Sequence, residues 1–487
     1  MKTAPASRTR SRELYQEFKD RIGDGTYAPG DALPSTRACA AERGLSRTTV
    51  SAVYEQLAAE GFIESRPGSA SRVAHGVAMP APRNSARAKA MPAGAAPRLS
   101  RLGERLVRLS PPRVLVPPRD SIDFAYGPLA GQDFPTARWL KAARQVERER
   151  PSRMAYGDPR GDLAFRRALQ VYLARARGIR CEVEQLVVAN GSQQILDLCA
   201  RLLVNPGDQV AVESPGYRMA HHAFEAAGAR LRGVPVDAHG MRTDKLPRSA
   251  TRFAYATPTH QFPLGGFLPI ARRLELLSWA ACQRAWIIED DYDAEYRHAI
   301  RPEETLKTLD RQDRVVYVGT FSKTLSPHLR LGYAVLPARL AAPFAQLKQF
   351  VDRHAPTAAQ RTLAALLADG SYERHVRRMR RAQQVRRLAL LDALERLLPG
   401  RVTVQGSASG LHVVVWVHGL PSAREPELIE AAREQRVWVH PLNPLYLAAD
   451  PLHRREAGLI MGYALLSPDT ILEGMKRLAG VIRKLGA

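Results

Sequence analysis

Cysteine is scarce in this chain: 487 residues carry four, at Cys39, Cys181, Cys199 and Cys282, with no CxxC pair. That spacing excludes a disulfide framework and offers no zinc site; free thiols in a reducing compartment and no bound metal are expected. Long apolar runs are also missing. No stretch approaches the length of a membrane span, and the opening "MKTAPASRTRSREL" has no apolar h-region, so neither membrane insertion nor export is expected and the cytoplasm is the default location. Acidic residues are outnumbered, 48 Asp and Glu against 72 Lys and Arg, for a formal charge of +24. The deficit is concentrated between residues 75 and 119, where Glu104 is the only acid in a stretch rich in Ala, Pro, Gly and Arg. Residues 76–118 therefore read as a basic linker. The charge suggests a polyanionic partner without establishing one, since a GC-rich coding sequence gives the same enrichment. What is present in ordinary measure is apolar residues, 45% of the chain, which excludes wholesale disorder and, at this length, implies two or three domains.

Upstream of the linker, over residues 8–75, the spacing is helical. Leu14, Phe18 and Ile22 recur every four residues on one face, and "GTYAPGD" ends that run. A second helix is expected from Ser35 as N-cap to Gly44 as stop. A third follows Ser46, with Val50, Val53, Tyr54 and Leu57 as its apolar stripe and Arg47, Thr48, Thr49 and Ser51 near its exposed start. Two short strand candidates flank the turn "RPGS". Helix, helix, turn, helix, hairpin is the order of a winged helix-turn-helix, which inserts the start of its last helix into the major groove of DNA. The bland alternative, a three-helix domain with a polar surface, has the same pattern. The wording "PGDALPSTRACAAERGLSRTTVSAVYEQLAAEGFIESRPGS" resembles the DNA-binding domain of GntR-type regulators. The resemblance implies a double-stranded DNA operator as partner, contacted by Arg37, Ser46, Arg47, Thr48, Thr49 and the wing residue Gly68. Ser51 stands where some members carry a basic residue, which bears on the operator sequence rather than on DNA binding.

From about residue 119 short apolar strands alternate with helices. "LVVAN", "QVAVES", "RFAYATP", "AWIIEDD", "VVYVGT" and "LGYAVLP" are β-branched or aromatic, and "SQQILDLCARLL" and "LPIARRLELLSWAA" are helical. An α/β domain with a mostly parallel buried sheet is expected over 119–487, its large part at about 150–340 and a smaller α+β part at about 341–487. Ligands of such sheets bind at the carboxyl ends of the strands, and the polar tails "NGSQQ", "ESPGY", "TPTHQFPLGG", "EDDYD" and "TFSK" all fall there. Singly, each tail has a structural explanation as a turn, a helix start or a solvated loop. Together they offer one candidate for each need of pyridoxal phosphate: an amine for its aldehyde, a carboxylate for its ring nitrogen, a donor for its phenolic oxygen, an aromatic face and an anion pocket.

"YGDPRG", "NGSQQ", "SPGY", "THQFP", "IIEDDYD" and "GTFSKTLSPHLRLGY" resemble a fold-type-I aminotransferase domain. With its N-terminal module the whole chain resembles the MocR-type transcription regulators. The resemblance implies that Lys323 forms the imine with pyridoxal phosphate, that Asp290 pairs with the ring nitrogen, that Tyr292 bonds the phenolic oxygen and that Tyr217 stacks on the ring. It assigns the phosphate to Ser192, Gln193 and Arg330, with Ser322 assisting. Tyr156 matches a tyrosine that in related enzymes reaches the other subunit's phosphate, so a homodimer is expected.

Two departures bear on activity. Aminotransferases commonly carry Asn in an "NPTG" segment, where this chain has "FPLG" with Phe262, and an arginine for the substrate α-carboxylate in an "RLxF"-like motif, where "LIMGYALL" places Ile460. Losing such a charge-assisted pair costs roughly 1.5 to 3 kcal/mol. The expected function is therefore a DNA-binding regulator that senses pyridoxal phosphate, or an amine or amino acid through imine chemistry, with transaminase turnover weak or absent. The alternatives are a working aminotransferase that carries a DNA-binding module, and a DNA-binding protein with a vestigial pocket.

Overall fold

The computed structural model describes residues 6–65, 69–75, 98–109, 116–149, 155–297, 304–447 and 456–486. The chain divides into two compact units, Met1–Arg98 and Leu99–Ala487.

In the first unit, α1 (Ala6–Gly23), α2 (Thr36–Arg43) and α3 (Arg47–Ala59) are followed by the two-stranded antiparallel hairpin of β1 (Ile63–Glu64) and β2 (Arg72–Val73). The expected faces form its core: Leu14, Phe18 and Ile22 pack with Val50, Val53, Tyr54 and Leu57. The Ser35 and Ser46 hydroxyls accept from the Ala38 and Thr49 amides, and Gly44 ends α2 at φ +60°. Each cap satisfies a donor that the helix start leaves open.

The stretch read as a linker contains a helix, α4 (Arg101–Arg108), which is capped by Ser100 and belongs to the second unit, where Arg105 Nε donates to the Ala226 carbonyl (2.9 Å). Its leucines, Leu102 and Leu106, stay exposed. They are four residues apart, the spacing of a helix face, but the helix is only eight residues long and sits in a stretch of Ala, Pro, Gly and Arg that reads as a linker.

After β3 (Ile122–Asp123), α5 (Thr136–Arg148) and α6 (Leu163–Arg177) comes the main sheet. Its strands are β4 (Leu186–Asn190), β5 (Gln209–Ser214), β6 (Arg230–Asp237), β7 (Gly240–Met241), β8 (Phe253–Ala256), β9 (Trp286–Asp291), β10 (Val315–Thr320) and β11 (Leu331–Val335). The order is β4-β11-β10-β9-β8-β5-β6-β7. β5, β6, β8, β9 and β10 run parallel where they pair, while β11 is antiparallel to β10 and β4, and β7 to β6. The mostly parallel sheet expected from the sequence is thus present. Helices α7 (Ser192–Leu203), α8 (Arg218–Ala227), α9 (Ile270–Gln283) and α10 (Leu306–Leu309) connect its strands.

The chain continues through α11 (Ala338–Asp352), α12 (Thr357–Ala368) and α13 (Ser371–Leu397), then β12 (Val402–Gln405), β13 (His412–Val417), α14 (Glu425–Glu434), β14 (Val437–Trp438), β15 (His440–Pro441), β16 (Ala457–Gly462) and α15 (Pro468–Lys484). The small sheet β12-β13-β16-β15 is antiparallel. The division expected near residue 340 needs correcting at both ends. Leu363, Leu366 and Leu367 of α12 pack into the large part with α6 and β4, whereas Ile122 and Phe124 belong to the core of the small part, where β3 pairs with β14.

Candidate functional site

Parallel strands β4, β5, β8, β9 and β10 end on one edge of the sheet, and antiparallel β11 begins there. The tails after Asn190, Ser214, Ala256, Asp291 and Thr320 and the residue before Leu331 are therefore brought together. They enclose a cavity of about 370 Å³ whose lining includes Lys323, Asp290, Tyr292, Tyr217 and Arg330.

Lys323 lies in the turn between β10 and β11, half-buried, and its Nζ donates to the Gly127 carbonyl (3.0 Å). Gly127 has φ +110°, a conformation that favours glycine, and a Cβ there would stand 2.7 Å from that nitrogen, so the lysine end would have to shift to admit a side chain. Burial lowers the affinity of the Lys323 amine for its proton, and the charges of Asp293 and Asp290 oppose that shift in part. A lysine so placed is closer to the neutral, nucleophilic form than one on the surface.

Asp290, on β9, is buried. Its Oδ2 accepts from the Tyr255 hydroxyl (2.8 Å), while its Oδ1 has no partner. Desolvation pushes its carboxyl up to about 7. A buried carboxylate oxygen with no donor at a cavity wall is matched to a ligand that brings a charged N–H.

The anion end is built on Gly191, which has φ +83° and ψ 165° ahead of α7. Ser192 and Gln193 occupy the first turn of α7 and line the cavity, where free N–H groups and the helix dipole favour negative charge. Arg330, at φ +50°, crosses from the start of β11, and its Nη2 donates to the Asn190 carbonyl (2.9 Å). Its guanidinium covers Gly191 so closely that a Cβ there would lie 2.5 Å from Nη2. Ser322 lines the same end and accepts from the Thr320 hydroxyl (3.0 Å). Behind them the buried Lys348 binds Asp352 (2.8 Å), which also accepts from the Asn190 and Gln194 amides and so braces the turn.

Tyr217 lines the cavity with its ring edge-on to Phe262 at 5.9 Å. Tyr292 also lines it, and its hydroxyl lies 2.9 Å from His260 Nδ1, which is 2.8 Å from Asp293. Tyr156 does not line it: the residue is 73% exposed, with the Arg353 guanidinium 4.3 Å from the centre of its ring. Phe262 and Ile460, far apart in sequence, share one buried apolar cluster.

The sequence reading missed Gly127, Tyr255, His260, Asp293 and His412. His260 and Asp293 stand inside the quoted "THQFP" and "EDDYD". Nothing in the spacing signals that they pair, or that Gly127 and His412 arrive from distant segments.

These residues fit pyridoxal phosphate on the structure's own terms. The unpartnered Asp290 oxygen answers a protonated ring nitrogen, Lys323 can meet an aldehyde, and the Gly191 turn with Arg330 answers a phosphate.

In the first unit Arg37, Ser46, Arg47 and Thr48 are exposed and Thr49 is half-exposed. The Ser46 hydroxyl lies 2.8 Å from that of Thr48 and 2.7 Å from that of Thr49. Ser46, Arg47, Thr48 and Thr49 cluster at the start of α3, and Arg37 lies on α2. Gly68 lies outside the described residues.

Among the described residues no helix is long and apolar enough to cross a membrane. The bacterial regulatory protein gntR family matches residues 10–73, and the aminotransferase class I and II family matches residues 119–478. The chain is 35% identical over 469 residues to the probable rhizopine catabolism regulatory protein MocR of Rhizobium meliloti, covering 96% of this chain and 92% of that one. It is 30% identical over 403 residues to the HTH-type pyridoxine biosynthesis transcriptional regulator PdxR of Corynebacterium glutamicum, covering 83% and 82%. Among solved structures, the kynurenine aminotransferase of Pyrococcus horikoshii superposes with a TM-score of 0.69 at 28% identity, covering 80% of this chain and 95% of that one. LysN, the α-aminoadipate aminotransferase of Thermus thermophilus, was solved with N-(5'-phosphopyridoxyl)-L-leucine; it gives 0.67 at 30% identity, covering 75% and 93%.

Proposed function

Because this chain belongs to the MocR-type transcription regulators, with a gntR-family module ahead of a class I and II aminotransferase domain that uses pyridoxal phosphate, we propose that the aminotransferase-like domain serves as a sensor rather than as an enzyme of metabolism. The signal is the cofactor itself, or an amine that engages it, and the response is a change in operator affinity of the winged helix. One observation carries the reading: a chain whose third helix has an exposed start also keeps a desolvated lysine and an unpartnered buried carboxylate oxygen in one cavity.

Bound pyridoxal phosphate supplies an aldehyde that condenses with primary amines. In this reading Lys323 holds the cofactor through its Nζ, Asp290 keeps the ring nitrogen protonated, Tyr292 bonds the phenolic oxygen and Tyr217 packs on the ring face. Ser192, Gln193, Ser322 and Arg330 hold the phosphate. Tyr156, exposed on its own chain, is assigned to a partner subunit's phosphate in a homodimer. Arg37, Ser46, Arg47, Thr48, Thr49 and Gly68 contact DNA.

The competing reading, an aminotransferase that carries a DNA-binding module, draws support from the same lysine and carboxylate. The two part at the apolar cluster of Phe262 and Ile460. Repeated transamination needs the amino acid oriented with its α-proton over the ring plane, which an α-carboxylate clamp provides, whereas sensing needs only that an amine reach the cofactor.

The test is to load the full chain with pyridoxal phosphate, fix it with borohydride and map the adduct. It should lie on the peptide that contains Lys323, and Lys323→Ala should lose the visible chromophore. In parallel, affinity for DNA fragments retained by the protein should change with cofactor or amine, while turnover with common amino-donor and keto-acid pairs stays slow or undetectable. Rapid multiple turnover with no effect of cofactor or amine on DNA binding would favour the enzyme.

A further inference from the structure

The cavity wall beside Lys323 has a composition that the cofactor alone does not explain. Among the described residues that line it, the cations are Lys323 and Arg330. In the reading above, on which this inference rests, Lys323 is committed to the aldehyde, and Arg330 with the start of α7 to the phosphate. The rest of the wall includes Met219, whose carbonyl accepts from the Gln193 side chain (2.9 Å), and Leu411, Phe262, Tyr126 and Thr257, none of them a cation. Ile460, fully buried on β16, backs Phe262 in the apolar cluster that includes Val414 and Leu442.

The titratable groups left on the wall bring no positive charge to meet an anion. Asp293 lines the cavity and is held by His260 Nδ1 at 2.8 Å. His412 lines it too, with Nε2 2.9 Å from the Pro263 carbonyl. Burial pushes the His412 imidazolium down to about 4, so at neutral pH it brings no positive charge. A carboxylate placed here would lose its hydration, find no guanidinium free to pair with it among the described lining residues, and face the Asp293 carboxylate.

We infer that the effector is a primary amine that carries no carboxylate, with an apolar body seated against Met219, Phe262 and Leu411. A single nitrogen suffices for recognition by the cofactor, and the apolar wall supplies contact area to the remainder. The discrimination comes from rejection: the site withholds from an amino acid the one partner its carboxylate requires. Met219 and Phe262 on the wall, with Ile460 directly behind Phe262, are then the residues that decide effector class.

The experiment uses the full-length protein loaded with pyridoxal phosphate and titrates matched pairs: 3-methylbutylamine against leucine, and 2-phenylethylamine against phenylalanine. Two signals are followed, the absorbance of the bound cofactor and the affinity for a retained DNA fragment. The amine of each pair should half-saturate at a concentration at least about tenfold lower than its amino acid. Ile460→Arg should narrow or reverse that ratio. Because an arginine in the middle of β16 risks misfolding, Met219→Arg, at a half-buried position on the cavity wall, is the second variant with the same expected direction. Amino acids that act as well as or better than their amines would overturn the inference and leave the sensor reading standing. If no amine and no amino acid moves either signal while pyridoxal phosphate alone changes DNA affinity, amine sensing itself falls, and the inference with it.

Discussion

Asp290 costs the protein stability in exchange for function. Its carboxyl is pushed up to about 7 from an ordinary 3.8, mainly by desolvation. A carboxyl raised on folding contributes its stability below the unfolded pKa and loses it as pH rises through the folded one. In protein stripped of cofactor, Asp290→Asn keeps an acceptor for the Tyr255 hydroxyl and removes the ionisation. Relative to wild type its stability should rise by about 1 kcal/mol between pH 6 and pH 8, and thermal melts at the two pH values read this directly. The same variant should retain pyridoxal phosphate poorly, because the ring nitrogen loses its counter-charge. A stability difference independent of pH would mean that the carboxyl is not raised.

Elements rather than residues set the anion end, since the strand-to-helix turn at Gly191 must adopt φ +83° and ψ 165° and leave room for Arg330. Only glycine takes that conformation without strain, and any side chain would also push the guanidinium away. Gly191→Ala should lower pyridoxal phosphate affinity by about tenfold or more, while the melt of the stripped protein falls by roughly 1 to 3 kcal/mol. Equilibrium dialysis and calorimetry separate the two effects. Helix α3 allows a parallel test in the first unit. Arg47→Ala should cost about 1 to 3 kcal/mol on the operator and relax sequence preference. Equal loss on operator and random DNA would make Arg47 a phosphate contact instead. Legibility also follows the elements. The sequence reading placed α7 at Ser192–Leu203 because a strand, a Gly turn and an apolar stripe coincide there. It missed β6, whose Arg230, Arg232, Gly233 and Pro235 dilute the apolar signal near a sheet edge. It missed α4, an eight-residue helix set in a stretch of Ala, Pro, Gly and Arg that reads as a linker.

At the scale of the molecule, each unit has its own apolar core, so residues 1–77 should bind duplex DNA by themselves, weakly. The full chain should bind more tightly if a dimer presents two modules, because the second contact becomes effectively intramolecular. Salt should weaken both, with the steeper dependence for the full chain. Fluorescence anisotropy over a salt series measures this, and equal affinity for fragment and full chain would argue against paired modules.

What the sequence determined by itself is whatever depends on neighbours close along the chain. Ser35 and Ser46 cap the helices they precede, the four-residue stripe of α1 makes a core face, and the strands of the main sheet end in polar tails. These follow from backbone hydrogen bonding and side-chain periodicity, which act over a few residues. Through resemblance, the motif wording also marked Lys323, Asp290 and Arg330. Only the tertiary structure decided what those residues meet. Gly127 gives Lys323 its hydrogen bond across 196 positions, and Tyr255 takes one oxygen of Asp290 and leaves the other open across 35. Met219, Phe262 and Ile460 lie on separate elements, α8, a loop and β16, yet Phe262 joins Met219 on the cavity wall and Ile460 in the apolar cluster behind it. Contacts of that kind depend on how β11 turns antiparallel between β4 and β10 and on how the small sheet closes over the large one. Burial then sets the charge state of each group, and burial is a property of the packed chain rather than of any stretch within it.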